Sequence, residues 1–319
     1  CVRREREKIR QRGRKACLLT SLAQPHLLLV FWLLGIYHWT NFWDFVIYFV
    51  VTGGVVLFMN IILYRGNVRK ILVVTALQAA EAIAVSSIII LPFTLQFQSM
   101  VTSVALVQKR TRIYQLLVLW GLPFAVTGAF ALRMLLKWRK KKLHAWLASL
   151  RLPDLFVFIL SLCAMGLVAI PEFVYVRDIY EGSSPRANTM FKLTYQAFIM
   201  FGICMGYLLI RGLAVSRRWV TRAASILCTL CLLSTMLYGR QAVVSWYGNV
   251  LDRDGYQSLN TTAFLETDYP EDAAAIRWLN KNIEGQPVVL EANGDSYSAY
   301  CRVSAMTGLP TIIGWYVHE

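Results

Sequence analysis

Residues 43–64 read WDFVIYFVVTGGVVLFMNIILY, 22 residues whose single charge is Asp44 at the entry. At about 1.5 Å per residue, a helix of that length spans roughly 33 Å, enough for a hydrocarbon core of roughly 30 Å. An open strand or loop would strand unpaired backbone groups in lipid, so the stretch reads as a membrane-spanning helix. Working outward, similar runs fall near 18–37, 71–95, 113–136, 153–172, 191–213 and 223–244, giving about seven spans. Composition agrees. The chain is 57% hydrophobic and 16% charged, against about 45–50% and about 25% for soluble domains. The expected fold class is membrane all-α, followed by a small extracytoplasmic α/β segment. Three regions are expected: a basic segment 1–17, a helical domain 18–244 and a terminal segment 245–319.

The net charge of +15 would suit nucleic acid or anionic lipid, and its placement separates the two. Segments 1–17, 65–70, 133–151 and 211–222 carry 8, 3, 7 and 4 Lys plus Arg, 22 of the 33. The alternating loops 38–42, 96–112, 173–192 and the tail from 240 carry 0, 3, 3 and 5, the other 11. The first set is therefore expected on the cytoplasmic side, with the tail outside. The basic excess is a topology signal, and membrane lipid rather than nucleic acid is the expected partner. Cys1 precedes Val2-Arg3-Arg4-Glu5-Arg6, which reads as a cytoplasmic loop more than as a lipidated terminus. The chain is expected to be part of a longer polypeptide, whose remainder would be a partner. Cys228 and Cys231 form a CxxC inside an apolar run with no companion ligands, so they read as small helix fillers.

In the tail, Pro270-Glu271-Asp272 opens a helix, with Ile276, Trp278 and Leu279 as its apolar face and Gly285 ending it. Val288–Leu290 and Thr311–Trp315 read as short strands flanking a helix near 299–307. Ligands approach the carboxyl ends of strands in α/β units. That places Glu291, Ser296 and Tyr297 on a candidate face, with His318 and Glu319 after the second strand. Asn260-Thr261-Thr262 is formally a glycosylation sequon.

Ionisable groups within spans are costly and point to function. Glu81 lies in the third run, as a ligand or proton site or as a packed pair, and His26 follows Pro25, which is expected to interrupt the first run. The outer ends are richer: Asp44, Glu172, Asp178, and then Arg186, Asn188, Lys192, Tyr195 and Gln196 where the sixth run opens. Asn188, Lys192 and Gln196 follow at four-residue steps and share one helix face. Cations beside the first turn of a helix suit a phosphate or pyrophosphate. The carboxylates are candidates for a catalytic base or for a divalent cation, Mg or Mn, though no cofactor is certain. A plain salt-bridge layer with snorkelling side chains is the alternative.

Several stretches resemble the YYY membrane proteins, a multi-pass bacterial and archaeal family known mainly as a domain of unknown function. They are Asn41-Phe42-Trp43-Asp44, Pro171-Glu172-Phe173 through Arg177-Asp178, and Arg186-Ala187-Asn188-Thr189-Met190-Phe191-Lys192 with Tyr195-Gln196. In the tail they are Val288–Ala292, Gly294 with Ser296-Tyr297-Ser298, Thr307-Gly308-Leu309-Pro310-Thr311, and Gly314-Trp315 with His318-Glu319. That family looks like a member of the GT-C polytopic glycosyltransferases. The resemblance implies transfer of a sugar from a polyprenyl-phosphate donor on the outer membrane face. Arg186 and Lys192 would then neutralise the lipid phosphate, and Asn188, Tyr195 and Gln196 would orient the donor. Asp44, Glu172 and Asp178 would shape the site, with Glu291, Ser296, Tyr297, His318 and Glu319 facing the acceptor. Two departures stand out: Val46 replaces a family proline, and the acid-bearing outer loop of earlier helices has no counterpart, so the catalytic acid is expected outside this chain. A transporter or flippase for lipid-linked sugar, centred on Glu81, and a non-catalytic assembly subunit remain the alternatives.

Overall fold

The computed structural model describes residues 21–97, 103–138, 141–178, 184–249 and 260–316. The chain divides into two compact units, residues 1–238 and 239–319. The first is helical. In order it has α1 (Pro25–Thr40), α2 (Phe42–Leu63), α3 (Val68–Thr94), β1 (Ser103–Leu106), α4 (Ile113–Trp138), α5 (Leu143–Ser149) and α6 (Leu152–Ala169). A 3-10 turn (Ile170–Glu172), β2 (Val174–Arg177), α7 (Ala187–Ala214), α8 (Trp219–Ser234) and α9 (Met236–Tyr247) follow. The division between the units falls within α9.

Six stretches are long and apolar enough to cross a membrane: Phe42–Leu63, Val68–Thr94, Ile113–Trp138, Leu152–Glu172, Ala187–Ala214 and Trp219–Tyr247. They coincide with six of the seven expected runs. The seventh corresponds to α1, with 16 described residues; the start of its run, residues 18–20, lies outside the described residues. Pro25 marks the interruption expected of the first run: Ser21 and Leu22 are helical, Ala23 and Gln24 are not, and α1 starts afresh at Pro25. It occupies the first turn of α1, where its missing N–H has no intrahelical partner to lose and its fixed φ suits helix entry.

The outward surface of these helices is apolar: Ile88, Val118, Leu119, Phe198, Ile210 and Leu227 are all exposed. In water such a continuous surface would be untenable, whereas in lipid it is the expected exterior. Packing centres on α6, the most buried of the spans. Ala164, Ala197 and Cys204 are fully buried between α6 and α7. Residues this small let helix backbones approach closely, which is where interhelical dispersion in lipid comes from. The α1–α3 seam repeats the device. A β-carbon on Gly35 would stand 2.5 Å from Ile89 Cδ1, so no larger residue fits without separating the helices.

The ribbon of β1 and β2 was not legible in the sequence. It is antiparallel, pairing Ser103 with Arg177 and Leu106 with Val174. It joins the α3–α4 and α6–α7 connections at one end of the bundle. At the other end, α5 buries Trp146 and Leu147, with the Trp146 ring stacked 5.6 Å from Trp138 and edge-on to Phe158 at 6.0 Å.

The second unit contains α10 (Phe264–Asp268), α11 (Pro270–Asn282) and α12 (Arg302–Thr307). Pro270, Glu271 and Asp272 do open α11, where Pro and acids suit the first turn. Its buried face is Ala273 and Ile276, packed with Leu265, Tyr269, Val303 and Met306. Trp278 is exposed, because residues two apart on a helix point to different sides. Arg302 binds Asp272 through Nε at 2.5 Å and lies over the Tyr269 ring at 3.9 Å. The two expected strands reduce to one parallel bridge, Val289 with Thr311. Val288 and Leu290 are exposed, so the first is not a buried strand: a lone pair of short strands lacks the neighbours that make a sheet stable.

Candidate functional site: a polar rim around the start of α7

The rim is built from the first three turns of α7 and the segments that meet it at the ribbon end. Glu172 terminates the α6 span and is buried. Its carboxylate accepts the Thr111 backbone N–H at 2.7 Å and the Thr111 hydroxyl at 2.6 Å. Arg186 Nη1 pairs with it at 2.9 Å. The guanidinium also donates to the Pro171 carbonyl at 3.1 Å and to Thr111 Oγ1 at 2.9 Å. Three connections, before α4, after α6 and before α7, are thereby fastened at one point. With both partners largely desolvated and mutually hydrogen-bonded, this is a geometry in which a buried pair repays its dehydration.

A second network lies two turns further along α7. Gln196 donates to Asp44 Oδ1 at 2.7 Å and accepts from Tyr48 Oη at 2.8 Å. Asn41 donates to Asp44 Oδ2 at 3.1 Å, and its own carbonyl oxygen caps α2 through the Trp43 N–H. Asp44 stands in the first turn of α2, where a carboxylate is favoured by the exposed N–H groups. Between these networks, Asn188 donates to Asp178 at 3.0 Å, and the Val176 N–H donates to Thr189 Oγ1 at 3.0 Å, tying β2 to α7.

The structure therefore brings together Asp44, Glu172, Asp178, Arg186, Asn188 and Gln196, each carboxylate with a partner on α7 or at its N-cap. It turns Tyr195 outward, exposed beside the Phe191 ring at 6.1 Å. Lys192 is half-buried, 6.0 Å from the Phe191 ring, and forms no ion pair among the described residues. No three His, Cys, Asp or Glu side chains converge as a metal cage among the described residues.

The tail candidates have local partners. Glu291 accepts the N–H groups of Val303 at 3.0 Å and Ser304 at 2.9 Å, capping α12 where Cys301, in a left-handed conformation with φ 59°, supplies no side-chain cap. Ser296 donates to the Tyr316 carbonyl. Tyr297 is exposed, its ring 5.7 Å from Trp315. His318 and Glu319 lie outside the described residues. Within the bundle, Glu81 has one buried carboxylate oxygen without a hydrogen-bond partner among the described residues.

Sequence reasoning missed Thr111 and His38. Thr111 sits in a loop with no motif, so no signal marked it. His38, in the last turn of α1, stacks on Phe45 at 4.3 Å, and its buried Nδ1 has no hydrogen-bond partner among the described residues. An ionisable residue in an apolar helix was a usable signal.

Long lipid-facing helices with a concentrated polar rim at one end define a polytopic α-helical membrane protein. The model of the uncharacterized membrane protein family DUF2298 matches residues 1–153 and 143–201. The chain belongs to that family. No curated protein and no solved structure matches it.

Proposed function

We propose that this protein is a GT-C-like membrane glycosyltransferase that uses a polyprenyl-phosphate-linked sugar at the ribbon end of the bundle, facing away from the cytoplasm. The observation that carries the reading is the rim itself: carboxylates, amides and cations gathered around the start of α7, at the level where a lipid headgroup meets a spanning helix. In such a transfer the bond from the anomeric carbon to the phosphate oxygen breaks, and the phosphate leaves with the electron pair. The acceptor hydroxyl forms the new C–O bond and gives up its proton to a base. Lys192, a cation without an ion pair among the described residues, meets the departing phosphate, whose growing charge a fixed cation stabilises. Arg186, already held by Glu172 and Thr111, positions α7 and adds field rather than direct contact. Asp44 is half-buried and keeps lone pairs beyond its bonds to Gln196 and Asn41, which makes it the best-suited of the three carboxylates to take the proton.

The test is transfer from radiolabelled polyprenyl-phosphate sugar by the reconstituted protein with its membrane extract. Lys192→Gln and Asp44→Asn should each lower transfer at least tenfold with the fold retained. Unchanged transfer in both variants would reject these roles. The Glu81 oxygen that has no partner among the described residues favours a second reading, transport of the lipid-linked sugar. It requires translocation of labelled lipid without product, abolished by Glu81→Gln.

A further inference from the structure

At the end opposite the ribbon, a cavity of about 590 Å³ opens between α4, α7 and α8. Its polar wall carries Arg133, Lys137, Arg211, Arg217 and Arg218 against one carboxylate, Asp154. Arg211 is engaged, paired with Asp154 and donating to Tyr207 Oη at 3.0 Å, while Tyr207 donates to Asp154 at 2.8 Å. Among the described residues the other four cations form no ion pair, and all four are exposed. Lys137 has Arg133, Arg211, Arg218 and Lys141 as charged neighbours. Like charges held this close repel one another unless an anion lies among them. Along the same helices the rest of the lining is apolar, with Val126 and Phe130 on α4, Leu208 on α7 and Cys228 on α8. The α8 side of the cavity, formed by Thr221, Ala224, Ser225 and Cys228, belongs to the least buried of the spans.

A fixed anion with an apolar tail satisfies both the basic and the apolar part of the lining at once. We propose that this cavity binds the phosphate headgroup of an anionic membrane lipid, its chains lying against α4 and α8. Basic pockets between spanning helices are suited to such headgroups. The volume lies within the range of specific ligand sites. The site is independent of the ribbon-end rim and of the activity proposed there.

Native mass spectrometry of the full chain, titrated with phosphatidylglycerol and separately with phosphatidylcholine, tests this. The expected result is one phosphatidylglycerol retained per chain with a clear preference over phosphatidylcholine. A cation near a membrane surface contributes about a factor of five in affinity. Arg133→Gln/Lys137→Gln/Arg218→Gln should therefore weaken retention by on the order of a hundredfold. Thermal unfolding in lipid-free detergent checks that this variant folds. If it does not, the single variants Arg217→Gln and Arg218→Gln, both on the exposed rim, should each weaken binding about fivefold. Equal retention by variant and parent, or equal retention of the two lipids, overturns the proposal. So does binding of free pyrophosphate as tight as that of the lipid, which would assign the cavity to a soluble phosphate compound.

Discussion

Replacing Glu172 by alanine should be among the most damaging single substitutions in the bundle. The carboxylate is buried and engages three donors: the Thr111 N–H, the Thr111 hydroxyl and Arg186. Removing one member of a buried pair leaves the other charge uncompensated and costs about 3–5 kcal/mol. Arg186 would retain its bonds to Pro171 and Thr111, which places the expected loss at the lower end, about 3 kcal/mol. Removing both charges is a different case, because no buried ion is left behind: Glu172→Ala/Arg186→Met should destabilise less than Glu172→Ala alone. Reversible unfolding in mixed micelles, following tryptophan fluorescence against denaturing detergent, measures Glu172→Ala, Arg186→Met and the double variant, and the cycle gives the coupling. A loss under 1 kcal/mol for Glu172→Ala, or strictly additive single changes, would refute the fastening role.

A β-carbon on Gly212 would stand 1.9 Å from Ser225 Oγ, so Gly212→Ala should destabilise the α7–α8 seam by about 1–3 kcal/mol. Adding Ser225→Gly should restore the melting temperature, and failure to do so would place the strain elsewhere. Glu291→Ala removes the acceptor for two α12 amides and should cost about 1 kcal/mol, read as faster hydrogen exchange at Val303 and Ser304. Burial, and then the Glu291 carboxylate, push the Cys301 thiol above its usual value, leaving less thiolate at pH 8 than in free cysteine. Alkylation of Cys301 should accordingly be slow at pH 8, rise on going to higher pH, and quicken at pH 8 in Glu291→Gln. The charge distribution implies that cysteine at Val104 is labelled by an impermeant reagent from outside intact cells and cysteine at Lys141 only after lysis; the reverse pattern would invert the topology.

The spans were legible because a run of about 20 apolar residues has few alternatives in a chain this poor in charge. The rim was legible as a set, since Asp44, Glu172, Asp178 and Arg186 are too polar for their surroundings to be accidental. Their pairing was not. Arg186 looked available for a phosphate, yet it is taken by Glu172 and a threonine 75 positions away, a partnership no local spacing encodes. Lys192 and Gln196 lie one helical turn apart, yet Gln196 is engaged by Asp44 and Tyr48 of α2 while Lys192 lies beside the Phe191 ring, a difference that spacing alone does not encode. The ribbon escaped notice because four-residue strands inside loops carry no usable period. In the tail, Val288–Leu290 had strand composition but not the neighbours a sheet requires, and composition alone cannot reveal which edges find a mate.

The two strands of the ribbon are separated in sequence by α4 and α6, two long apolar helices. Backbone hydrogen bonds between them can form only if an even number of crossings lies in between. The ribbon is thus a parity check on membrane insertion. A chain in which α4 or α6 failed to cross would leave β1 and β2 on opposite sides of the bilayer, with their N–H and C=O groups unpaired and the Glu172–Thr111 fastening unmade. Correct topology is in this way converted into a local bond that exists or does not, and a misinserted chain carries exposed strand edges.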